Sequence, residues 1–191
     1  MSAHAGPPAP IDPSSAAPEC RMFLAVLRTT SDTQPWAQRL SFAACRQPAK
    51  VAAAASADQL QGVVHSLEQA MQPSIDIYRD ALAHGPAEIQ ILAAYGLGMA
   101  QLDIMVHARI AIPSPPDLMT NLPAAQHYLE LHHALEPLIA DHAKAAADAF
   151  AQAEKLAADH ESAASANIVM QNVVASARRN HQDLAGPAQS Q

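Results

Sequence analysis

Aromatic side chains are scarce in this chain of 191 residues: one tryptophan, three tyrosines and three phenylalanines. Glycine is nearly as rare, with six residues. Sheet proteins draw on aromatic and β-branched residues for their strands and on glycine for their tight turns, so the shortage argues against an all-β fold. It also removes the glycine-rich loops that cradle phosphates, and none is present. Cysteine occurs only as Cys20 and Cys45; one pair cannot form a disulfide framework, and no C-x-x-C exists to build a zinc or redox centre. Positive charge is short as well, since 11 Lys and Arg stand against 18 Asp and Glu for a formal charge of -7. A nucleic-acid surface needs clustered cations, and the one local cluster, Arg178-Arg179, sits near a helix end where it complements the dipole. No long hydrophobic run suited to a membrane span is read either: the most apolar region, residues 86–112, is interrupted by Glu88, Asp103, His107 and Arg109.

Alanine fills the space those residues leave, with 44 copies. Together with leucine, glutamine and glutamate it predicts an all-α, single-domain bundle of about six or seven helices whose small side chains let helices approach closely. Proline marks the boundaries. Residues 1–18 read as a Pro/Ala/Ser-rich disordered leader, 19–181 as the bundle and 182–191 as a disordered tail. Within the bundle, helices are expected at about 19–28, 35–47, 49–71, 73–84, 86–112, 123–158 with a kink at Pro137, and 161–179. The fifth is the most continuously apolar and is expected to be central. One of its stripes carries Leu92, Tyr95, Met99, Leu102, Val106 and Ile110; a second, smaller-residue face carries Ala87, Ala94, Gly98 and Met105. Residues 78–100, with Tyr78, Ala81, Leu82, Pro86, Leu97 and Gly98 in order, resemble a tetratricopeptide junction, but the fifth helix is too long for a repeat helix and the stretch reads as an ordinary helical hairpin.

The histidine-rich run "HYLELHHALEPLIADH" contains Glu130 and His133 in the Glu-x-x-His spacing of metal-carboxylate bundles. Phased against Leu131, Leu135 and Leu138, both face outward, and no second Glu-x-x-His exists to complete such a site. His127 and His142 fall instead on the apolar stripe, where buried imidazoles usually hydrogen-bond a carbonyl or carboxylate. Asp103 and His107, one turn apart on the fifth helix, form an inward-leaning carboxylate and imidazole pair. Asp103, His107, His127 and His142 are therefore the candidate ligand-binding residues, with Tyr95 as a further inward partner. His65, Glu68, Asp76, Asp80 and His84 read as a solvated face. Ten histidines could swing the charge from -7 to +3 on full protonation (-7 + 10).

If the first two helices form an antiparallel hairpin, Cys20 and Cys45 come level across it, which allows either a disulfide or two buried thiols. No secretory signal pattern opens the sequence, so the chain as written reads as cytoplasmic; a disulfide with a removed signal peptide would place it outside the cytoplasm. With no catalytic motif assembled, the expected function is a non-enzymatic protein-interaction or scaffolding module, binding a protein partner or itself, without a cofactor, nucleic acid or membrane span. The alternative is a metal- or haem-binding bundle using histidines of the fifth and sixth helices.

Overall fold

The computed structural model describes residues 34–46, 51–114 and 121–186. The expected leader, the first expected helix with Cys20, and residues 187–191 lie outside the described residues. Those that are described form six helices and no strand: α1 Gln34–Ala44, α2 Ala57–His84, α3 Ala87–Ile110, α4 Leu122–Asp159, α5 Glu161–Ala164 and α6 Ile168–Ala185. The all-α bundle is as expected, and its core is one contiguous cluster drawn from every one of these helices.

α3 is central because it is buried on nearly every side along its first half, with Ile89, Ile91, Leu92, Ala93, Ala94, Tyr95 and Gly96 all shielded. It packs against α2, α4 and α6. Two glycines set how closely. A methyl on Gly96 would lie 2.3 Å from the Tyr78 ring of α2, and one on Gly98 would lie 2.6 Å from the Phe150 ring of α4. Two residues along a helix are about 200° apart, so the two rings seat on opposite sides of α3. The Phe150 ring also meets Tyr95 at a centroid distance of 5.8 Å.

The elements differ from the sequence expectation in four places. Residues 51–54 are not helical; α2 starts only at Ala57, where the Ser56 hydroxyl accepts from the Gln59 amide at 3.3 Å and the Gln59 side chain accepts from the Ala55 amide at 2.7 Å. The preceding segment is held instead by its Ala54 amide, which donates at 2.8 Å to the carbonyl of Ala111 just past α3. Second, Pro73 does not open a new helix but lies inside α2. A proline deprives the carbonyl four residues back of its donor; here that residue is Gln69, exposed like Pro73 itself, so water can replace the bond. Pro137 within α4 obeys the same rule, with both it and His133 exposed. Third, the last expected helix is broken: Asn167 accepts from the amides of Val169 at 3.0 Å and Met170 at 2.9 Å, which starts α6 afresh after the short α5. Fourth, α6 continues to Ala185 with Gly186 as its cap, so residues 182–185 belong to a helix rather than to a tail.

α1 is fastened to α2 at two points. The Ser74 hydroxyl, fully buried, donates at 3.1 Å to the carbonyl of Ala43, one of the terminal carbonyls a helix cannot satisfy itself. Replacing Ser74 by Ala strands that carbonyl, and a loss of about 1–3 kcal/mol is expected in chemical denaturation. From the middle of α1, Arg39 pairs with Asp80 and lies over Trp36 at 5.0 Å. The hydrogen bond from Arg39, helped by that from His84, holds the Asp80 carboxyl below its usual range. A lowered folded value stabilises above the unfolded one, about 3.9, and the benefit disappears as the pH falls through the folded value. The melting temperature of Asp80→Asn should therefore lie below wild type at neutral pH, with the gap closing as the pH drops below the ordinary Asp range.

Candidate functional site

Glu130 and His133 face solvent as phased, Glu130 with 78% of its side chain exposed. His127 does not follow its phase. Its side chain is 54% exposed and lies 3.8 Å from Glu130. The opening turns of α4 carry Leu122 and Leu129 at 68% and 55% exposure. A residue there can point along the apolar stripe and still meet nothing.

Asp103 and His107 are both half-buried on α3, and His107 Nδ1 donates to the Asp103 backbone carbonyl at 2.8 Å. The Asp103 charge is felt by Tyr78. Burial first, and then Asp103 and Tyr95, raise that phenol well above its ordinary value and keep it neutral.

His142 is half-buried, with 13% of its side chain exposed, and hydrogen-bonds across to two other helices. Reaching from α4 into the seam between α2 and α3, it places Nδ1 2.7 Å from Gln101 Oε1 and Nε2 3.1 Å from Glu68 Oε1. The other oxygen of Glu68 lies 3.5 Å from His65 Nδ1. These side chains sit in a solvent-open trough of about 560 Å³ whose walls also include Gln72, Ile75, Arg79 and Ile104. Glu68 was expected on the solvated face and Gln101 was not singled out. The signal for Gln101 was available: it is the one amide between Ile91 and Asp103, and it shares a helical face with Ala94, Ile104 and Ala108.

The chemistry open to this cluster is limited. A general base needs a ring nitrogen free to meet a substrate, and both nitrogens of His142 are occupied by the protein. Among the described residues no serine, threonine or cysteine lines the trough. Among the described residues no group of three or more His, Cys, Asp or Glu side chains is arranged to hold a metal ion. A similar interhelical contact joins α6 to α4, where His181 Nδ1 donates to Glu154 at 2.8 Å and Arg178 lies 3.5 Å from the same carboxylate.

By length and composition α3 could cross a membrane, but 67% of its apolar window is buried within the bundle, the pattern of a core helix. Fold and cluster together define an all-α bundle with polar joints between its helices. No protein family, curated protein or solved structure matches the chain.

Proposed function

We propose that this chain is a non-enzymatic helical module that works by protein contact, with a partner protein or with a second copy of itself. The observation that carries this reading is the fate of the longest apolar stripe on α3. Leu92 and Tyr95 are 1% and 4% exposed, Met99 and Leu102 are half-buried, and Val106 and Ile110 are 47% and 66% exposed. α6 reaches this stripe near Met99, where the Asn180 amide meets the sulfur at 3.7 Å, and α6 ends at Ala185. The stripe thus leaves the core as a pair of β-branched side chains one turn apart. An apolar helix face of this kind fits the apolar face of another helix. The polar joints support the same reading, because their hydrogen-bonding capacity is spent inside the bundle.

The test is site-specific photo-crosslinking from positions 106 and 110, with the exposed polar positions Gln152 and Gln171 as controls. Protein adducts concentrated at 106 and 110 are expected; equal labelling at all four positions rejects the reading.

The same proposal takes Cys20 and Cys45 as a disulfide tying the N-terminal segment to α1. No cysteine among the described residues is free, and Cys45 lies half-buried just after α1. Thiol titration of the denatured, unreduced protein should find no free thiol; two thiols per chain would refute the pairing.

A further inference from the structure

We infer that His142, Glu68 and Gln101 form a joint that holds α4 against α2 and α3 whether or not the imidazole is charged, because Glu68 fixes the ring tautomer and Gln101 follows the proton. The inference comes from the unequal abilities of the two partners. An ionised carboxylate only accepts hydrogen bonds, so Nε2, 3.1 Å from Glu68, must carry a proton in every state that keeps this contact. A carboxamide offers both an acceptor and a donor. At 2.7 Å from Nδ1, Gln101 can accept through Oε1 when the ring is charged and, after turning its amide over, donate through Nε2 when Nδ1 is bare. With Oε1 facing the ring, as here, Gln101 is turned to accept from a protonated Nδ1. Gln101 is 7% exposed, and among the described residues no second hydrogen bond to its side chain opposes the turn.

The surrounding charges suit this arrangement. Of the described residues, α2 brings the charged or titratable Glu68, His65 and Arg79 to the trough, while α3 brings only the uncharged Gln101 and Ile104. Next to His142 on α4, Asp141 and the nearby Lys144 are exposed. The one anion in the trough is thus the group that orients the ring. A histidine-rich chain whose formal charge can swing by ten units therefore keeps its three main helices joined through that swing.

The test is NMR of the full ¹⁵N-labelled chain, following the ring nitrogens of His142 and the side-chain amide of Gln101 from about pH 4.5 to about pH 9. The expected neutral ring has its proton on Nε2 and a bare Nδ1, and the Gln101 amide protons shift with the same midpoint as the ring. A neutral ring protonated on Nδ1, an amide that stays flat through the titration, or a ring that never changes charge overturns the inference. Gln101→Glu gives a second reading. Ionised, it can only accept, so a folded variant should keep the ring doubly protonated to a higher pH than wild type; an unchanged midpoint contradicts the proposal.

Discussion

Phe150→Ala is expected to destabilise the protein by about 3–5 kcal/mol in urea or guanidinium denaturation, the range for losing a fully buried phenylalanine. Phe150 is 0% exposed and spans the seam between α4 and α3, with Tyr95 on one side and the Gly98 backbone beneath it. The missing ring leaves a void that this seam cannot close without moving one helix toward the other. A double-mutant cycle gives the claim a sharper form. Gly98→Ala alone forces a methyl to 2.6 Å from the ring and should destabilise by about 1–3 kcal/mol. With the ring already gone, the same methyl enters the void. The double variant should therefore lie closer to Phe150→Ala than the sum of the single changes allows.

The second large effect falls on the opposite side of α3. Gly96→Ala would set a methyl 2.3 Å from one carbon of the Tyr78 ring and 2.6 Å from the next. Tyr78 is 4% exposed, so its rigid ring has little room to yield. Alanine improves a helix interior by up to about 1 kcal/mol, but overpacking of roughly 1–3 kcal/mol works against it, and net destabilisation is expected. Gly62→Ala is the internal control. Gly62 is also helical, but nothing lies within 4 Å of the added methyl, so only the propensity gain remains and the variant should be as stable as wild type or up to about 1 kcal/mol more stable. If both substitutions changed stability alike, close packing at Gly96 would not be the cause.

The parts readable from the sequence are those set by local periodicity. The apolar pattern of residues 86–112 identified the central helix and placed its start within one residue of Ala87, but it also put Val106 and Ile110, which are exposed, on a packing stripe. Glu130 and His133 were correctly turned to solvent by phase alone. The errors arise where a second segment decides the outcome. Pro73 stays inside α2 because Met71, Ser74, Ile75 and Tyr78 are all buried around it, and packing of that face outweighs one lost backbone bond. His127 and His142 share a stripe, yet only His142 has helices beside it. Phase gives the direction of a side chain, and tertiary placement determines whether anything stands there. Glu68, assigned to a wet edge, is long enough to reach across to α4. The seats under Tyr78 and Phe150 could not be assigned to Gly96 and Gly98 without knowing which rings face them. The break at Asn167 had a local cause that the run of alanines concealed, since a side chain that caps the amides of the turn following it competes with continuing the helix.

His142 with Glu68, and His181 with Glu154, join helices of the bundle, and we propose that the function of the protein lies on its surface and not in a metal or haem held by such groups. The most direct measurement is the metal content and the visible absorption spectrum of protein purified without a histidine tag. Metal at trace level only and no Soret band are expected. One equivalent of a bound metal, or a Soret band that survives purification, would contradict the claim and restore the metal- or haem-binding alternative.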